Sequence, residues 1–245
     1  MIETQGLTKI FRDRKLGEVR AVNGVSFRCE PGRIYGLLGA NGAGKTTTLR
    51  MLATILKPTS GTAQVAGFDI VRRPDRVRAN IGFLSTATAL YARLTVRETA
   101  EYFGRLSGMN GDRLKRRVDE LFGLLEIGEF ADRRCDKLST GMKQKVSIAR
   151  TLVHDPQVMI FDEPTLGLDV MTARTIVGFI RDCRARGKTV IFSTHVMSEV
   201  EKLCDHIGII HGGAVVAEGT LTELRSRSGL ADLEEIFLKV VGAVA

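Results

Sequence analysis

The chain has 245 residues, 44% of them hydrophobic, with four scattered cysteines. That is enough for a full core in one domain, with room for a subdomain. No apolar run approaches the roughly 20 residues needed to span a bilayer. The first residues lack the regions of a signal peptide, and no Cys-x-x-Cys pair points to zinc or a disulfide framework. A cytoplasmic chain with reduced thiols is expected, and it is not itself a channel. The net charge of +8 comes with only 6% aromatics and no tryptophan. The basic clusters at Arg12, Arg14 and Lys15, at Arg72 and Arg73, and at Lys115–Arg117 therefore read as solvated faces, or as a weak pull toward anionic lipid. A base-stacking platform is poorly supported, so no nucleic-acid partner is expected.

In chain order, Ile2–Leu7 and Ala21–Cys29 read as antiparallel strands joined by a polar loop, Arg12–Arg20. Pro31 and Gly32 turn into a buried strand, Arg33–Leu38, and Thr46–Leu56 reads as a helix. After the break at Lys57–Gly61 come a short strand, Thr62–Ala66, a turn at Gly67–Asp69, and a buried strand at Ile81–Leu84. From Thr86 to Asp155 the apolar spacing is helical: Val96, Ala100, Phe103 and Leu106, then Leu114, Val118, Leu121, Phe122 and Leu125. A third helix is expected from Thr140 to His154. Val158–Phe161 and Thr189–Ser193 are apolar runs typical of central parallel strands, with a helix through Ala173–Ile180 between them. Ser198–Cys204 reads as a helix, Ile207–Ala217 as a hairpin turning at Gly212 and Gly213, and Asp232–Val241 as an amphipathic helix. The fold expected is α/β: a P-loop nucleotide-binding fold with a mainly parallel central sheet, an N-terminal antiparallel β-subdomain and an inserted α-helical subdomain. The expected division is a core of residues 1–85 and 156–230, a helical insertion of 86–155 and a C-terminal helix in 231–245.

The stretch Gly39, Ala40, Asn41, Gly42, Ala43, Gly44, Lys45, Thr46, with Thr47 behind it, fits G-x-x-x-x-G-K-S/T between a strand and a helix. Its glycines let backbone N–H groups close on a polyanion, and the helix start adds its positive end. Lys45 suits the β- and γ-phosphates, and the Thr46 hydroxyl suits Mg²⁺. Asp162 ends a buried strand at the edge of the sheet where ligands bind, and also suits Mg²⁺. Glu163, one residue on, suits a base for an attacking water. His195, at the end of the adjacent strand, is placed to orient that water or the γ-phosphate. Leu138–Lys145 opens a helix with Ser139 as N-cap and Gly141 allowing close approach. The residues alone leave open whether that is an anion site or an ordinary cap.

Together these residues resemble the ATP-binding subunit of ABC transporters over nearly the whole chain. The resemblance makes Ser139, Thr140, Gly141 and Met142 the signature loop that meets a second subunit's ATP. It makes Asp169 part of the loop linking subunits, His195 the switch histidine and Phe11 the adenine-stacking aromatic. The C-terminal Asp232–Leu238 looks most like the exporter branch that includes NatA-type sodium-extrusion and drug-export ATPases. Two departures stand out. Thr140 and Met142 alter the usual L-S-G-G-Q. Thr86 stands where the family has a glutamine that contacts Mg²⁺ and reports to the membrane subunit, and its shorter side chain implies a weakened or rerouted contact.

The resemblance implies an ATPase using ATP and Mg²⁺, a nucleotide-dependent head-to-tail homodimer, and separate integral membrane permease subunits. It also implies a place on the cytoplasmic face of the membrane and export of Na⁺, a drug or another small molecule. A soluble ABC ATPase without a transport role is the alternative. A small-molecule kinase would leave Ser139–Met142 and His195 without a role, and the N-K-x-D base-reading motif of GTPases is absent.

Overall fold

A computed structural model describes residues 1–13, 17–85 and 89–242. Two sheets meet at the start of the chain. Strands β1 (Ile2–Asp13) and β2 (Gly17–Cys29) form an antiparallel ribbon, and β3 (Ile34–Leu38) then enters a different sheet. After α1 (Lys45–Leu52), β4 (Ser60–Val65) returns to pair with β1, and β5 (Phe68–Asp69) closes that sheet in the order β2-β1-β4-β5. Helix α2 (Pro74–Asn80) leads into β6 (Ile81–Leu84). Helices α3 (Val96–Leu106), α4 (Gly111–Leu124) and α5 (Thr140–Leu152) are inserted before β7 (Val158–Asp162). Then follow α6 (Val170–Ala185), β8 (Thr189–Thr194), α7 (Met197–Leu203), β9 (His206–His211), β10 (Ala214–Gly219), α8 (Leu221–Ser228) and α9 (Leu233–Gly242).

The second sheet runs β10-β9-β3-β8-β7-β6, parallel from β9 through to β6, with β10 antiparallel at its edge. Every residue of β3, β7 and β8 is buried, as parallel strands covered on both faces require. Alternation along β7 divides the core. Met159 and Phe161 face the helical insertion and α6, while Val158 and Ile160 face α1 and the antiparallel sheet. The register Leu38 with Thr194 and Asp162 with Ser193 brings the carboxyl ends of β3, β8 and β7 level.

Backbone pairing overrides the polar composition at the first hairpin. The expected loop Arg12–Arg20 is largely strand, with β1 reaching Asp13 and β2 starting at Gly17. Helix α1 stops at Leu52 instead of Leu56, because Thr54 takes a left-handed φ of 60° and breaks the ladder. The expected turn at Gly67–Asp69 holds the two-residue β5. Helix α8 leaves little apolar pattern in the sequence because only Leu224 on it is buried; its start is fixed by a capping box between Thr220 and Glu223.

The insertion is pinned to the core at one charged junction. Arg117 on α4 lies 3.1 Å from Asp155 and 2.8 Å from Glu120, and Lys188 before β8 lies 3.0 Å from Asp155. Arg186 pairs with Glu120. Burial alone would raise the Asp155 carboxyl, but the Lys188 hydrogen bond and the charges of Arg117, Lys188 and Arg186 carry it below its ordinary value. A depressed pKa gives stability that is present above the unfolded value and lost as pH falls through the folded one. Asp155 has φ 57°, which asparagine also tolerates, so Asp155→Asn tests the charge alone. It should cost about 1 kcal/mol or less at pH 7, after allowing for solvent screening. It should also flatten the acid limb of stability below about pH 4, read by urea denaturation across pH.

Candidate functional site

Strand β3 delivers the chain to residues 39–44 from a position between β8 and β9. Gly42 and Gly44 take φ of 80° and 107°, a region that penalises side chains. Space is as restrictive as torsion. A Cβ on Gly39 would lie 2.5 Å from the Ile210 carbonyl oxygen, and one on Gly44 would lie 2.6 Å from that of Ala21. Gly44 caps α1, which begins at Lys45. Free N–H groups of the first helical turn therefore gather here, an arrangement suited to anions. Ala40, Asn41, Gly42, Gly44 and Lys45–Thr47 line a cavity of ≈ 260 Å³, closed on its other side by Asp162, Glu163 and Leu166. Ala43 is buried behind it, and its carbonyl accepts from the Gly213 N–H. A larger cavity of ≈ 1300 Å³ opens between β2 and β10. Its wall mixes acids and bases, the His206–Glu218 pair at 3.5 Å among them, but no residue of 39–47 lines it, so size alone does not mark the site.

Lys45 is 5% exposed, and its ammonium donates to the carbonyls of Gly39 at 2.6 Å and Ala40 at 3.2 Å. It also lies 3.0 Å from Glu163 Oε1, a charge contact without hydrogen-bond alignment. Glu163 Oε2 is 2.8 Å from His195 Nδ1. The Thr46 hydroxyl donates to Asp162 Oδ1 at 3.0 Å. Ser193 ties both acids down: its hydroxyl donates to the same Asp162 oxygen at 2.7 Å and accepts from the Glu163 N–H at 3.0 Å. Glu163 itself sits at φ 49°, a strained conformation for a non-glycine residue that surrounding contacts must hold. Ser193 is visible in the sequence beside His195, but its bridging role follows only from the register of β7 and β8.

A hydroxyl and a carboxylate side by side are a hard-oxygen pair of the kind Mg²⁺ takes while keeping waters and phosphate oxygens as its other ligands. Among the described residues no cluster of three His, Cys, Asp or Glu forms a cage, and such a site does not need one. The donor set fits the ion.

Other predicted positions lie around this centre. Phe11, 39% exposed, stands opposite Val19 in the β1–β2 ribbon, with the Lys9 ammonium 5.2 Å from its ring centroid. Two residues along β2, Ala21 touches the phosphate-loop lining. Ser139 caps α5, its hydroxyl accepting from the Met142 N–H at 3.3 Å, with Thr140 as the first helical residue. A Cβ on Gly141 would lie 2.8 Å from the Thr172 hydroxyl. Asp169 caps α6, and the Thr172 N–H and hydroxyl hold its carboxyl below the usual range. None of Ser139–Met142 or Asp169 lines the 260 Å³ cavity. Thr86 lies outside the described residues. Gln144, which no sequence pattern singles out, donates to the Pro164 carbonyl at 2.7 Å.

The family model described as ABC transporter matches residues 22–166. The ABC transporter ATP-binding protein NatA of Bacillus subtilis is 43% identical, over 97% of both chains. The Nod factor export ATP-binding protein I of Paraburkholderia xenovorans is 42% identical, over 91% of this chain and 74% of its own. The daunorubicin/doxorubicin resistance ATP-binding protein DrrA of Streptomyces peucetius is 39% identical, over 93% and 68%. A solved ATP-binding subunit of an ABC transporter superposes with a TM-score of 0.87 at 28% identity, over 98% of this chain and 99% of its own. The dimeric bacterial ABC transporter cassette MJ0796 superposes at 0.82 with 26% identity, over 90% and 98%.

The glycine geometry yields a direct test. Gly39→Ala forces a methyl against a backbone carbonyl. It should weaken binding of a fluorescent nucleoside triphosphate by about tenfold or more, measured by titration, while far-UV dichroism stays unchanged.

Proposed function

The chain belongs to the ABC transporter family, and from that premise we propose how this ATP-binding and ATP-hydrolysing subunit uses the residues it brings together. The observation that carries the reading is the run of contacts from Lys45 through Glu163 to His195, beside the Thr46–Asp162 pair. The phosphate-loop N–H groups and Lys45 bind the β- and γ-phosphates of ATP. Mg²⁺, held by Thr46 and Asp162, would neutralise charge on those phosphates. With Lys45 turned toward phosphate, the Glu163 carboxylate is free to accept a proton from the attacking water, and His195 holds that carboxylate in position. Phe11 offers its exposed face to the adenine.

The half of the site that this chain lacks points to a second copy. The dimeric cassette relatives support a homodimer; in the proposed reading it is head-to-tail, and Ser139 and Gly141 of one protomer meet the γ-phosphate bound by the other. ATP then joins two anion sites and its hydrolysis removes the join, which biases an open–closed equilibrium. Among the described residues no helix is long and apolar enough to cross a membrane. As in the ABC transporter family to which the chain belongs, permeation would fall to separate membrane subunits, with this chain docked on the cytoplasmic face. Tyr91 and Tyr102, both more than two-fifths exposed and packed edge to face, line an apolar hollow of ≈ 370 Å³ beside the helical insertion. That hollow is the proposed dock for a membrane-subunit helix. Relatives named for Nod factor export and drug resistance favour export as the direction.

Glu163→Gln should retain ATP binding, accumulate as an ATP-bound dimer on size exclusion, and lose about 10²-fold or more in turnover; normal turnover would remove Glu163 from the mechanism. Lys45→Ala should abolish ATP binding by calorimetry. Tyr102→Glu should leave basal hydrolysis intact and prevent co-purification with the membrane subunits; retained co-purification would move the dock elsewhere.

A further inference from the structure

The Glu163 loop is held from two directions. From the sheet side, Ser193 anchors its N–H, and Lys45 and His195 hold its carboxylate. From the other side, its exit runs through Pro164, which has no N–H to offer. The Glu163 carbonyl accepts from the Leu166 N–H at 3.2 Å within the loop itself. The Pro164 carbonyl accepts from Gln144 Nε2 at 2.7 Å, and this bond comes from the helical insertion. A residue at φ 49° keeps that conformation only if both of its flanks are fixed.

Gln144 lies on α5, the helix that Ser139 caps. It is half-buried, so its amide is shielded from competing water. The same helix start is seated on α6, where Gly141 lets the chain close on Thr172, whose hydroxyl donates to Asp169 at 2.7 Å. A short rigid path therefore joins Ser139, through one and a half turns of α5 and the Gln144 amide, to the loop that carries Glu163.

We propose that Gln144 is a positioning residue for Glu163, which through α5 makes the base of one ATP site sensitive to whether this protomer's Ser139–Gly141 loop is engaged at the other. The inference rests on the proposed head-to-tail ATPase. In the dimer, Ser139 and Glu163 of one chain serve different ATP molecules, so an intrachain bond between their elements couples the two sites. The chemistry requires only an N–H donor at the Pro164 carbonyl and a stiff helix behind it.

The test is steady-state ATPase kinetics of the full chain with Gln144→Met and Gln144→Lys, beside Glu163→Gln. Methionine keeps length and helix propensity but removes the donor, whereas lysine keeps an N–H donor. Gln144→Met should lower kcat about tenfold with KM within about twofold. Its Hill coefficient for ATP should fall toward 1, while its Tm and the ATP affinity measured on a Glu163→Gln background stay near those of the parent. Gln144→Lys should restore most of kcat and the cooperativity. Unchanged kcat and Hill coefficient in Gln144→Met would overturn the proposal. So would a parallel loss of Tm and ATP affinity, which would mark a merely structural contact, or a failure of lysine to rescue. The ATPase reading fails separately, if Glu163→Gln turns over normally.

Discussion

The alignment of three strand ends is the constraint on which the site depends. Parallel pairing of Leu38 with Thr194 and of Asp162 with Ser193 leaves the phosphate loop, the two acids and His195 at one edge of the sheet. A one-residue slip of β7 against β8 would turn Asp162 to the other face and separate it from both Ser193 and Thr46. Close packing of the buried runs Ile34–Leu38, Val158–Phe161 and Thr189–Phe192 against neighbours on both faces resists that slip, as does the hydrogen bonding of the polar strand ends. The hydrophobic core thus fixes distances of about 3 Å between groups far apart in sequence.

What the core places there is costly on its own terms. Asp162 is 2% exposed, Lys45 is 5% exposed and Glu163 is strained. Burying charges is repaid only when each is paired and hydrogen-bonded. Here Asp162 receives two hydroxyls on one oxygen, and Lys45 receives two carbonyls and a carboxylate. The Lys45–Glu163 contact is the least well aligned of these. Its loose geometry suits a pair that exchanges partners when phosphate enters, since a fully satisfied bond would oppose the change. Local stability is sacrificed at the place where function needs a shift.

The parts legible in the sequence are those with local causes. Gly39–Thr46 is readable because a phosphate cradle needs left-handed backbone and a helix start within a few residues. Val158–Glu163 is readable because a doubly buried strand ending in two acids sets charge at a sheet edge, where a ligand or a cation must balance it. Ser139 as the α5 cap follows from its place before an apolar-periodic run. The hidden parts depend on register or on distant partners. Ser193 becomes informative only once β7 and β8 are aligned, and Gln144 only once α5 lies against the Pro164 turn. Helix α8 has almost no apolar stripe, and the first hairpin is long because backbone pairing, not side-chain burial, extends it.

The surface around α6 is where the proposed second copy would meet this chain. Val170 is 82% exposed and Met171 70% at the start of α6, and Leu166, 54% exposed, lies a few residues earlier and helps to line the phosphate cavity. Exposure of this kind costs solubility unless something covers it. The caps beside it, Asp169 and Ser139, are satisfied within the chain, so they do not need a partner to fold. Covering the apolar side chains requires a second surface, and joining Ser139 to phosphate requires a ligand between the two. The balance of satisfied caps and exposed apolar rim fits the proposed homodimer, in which closure would depend on a nucleotide between the two faces.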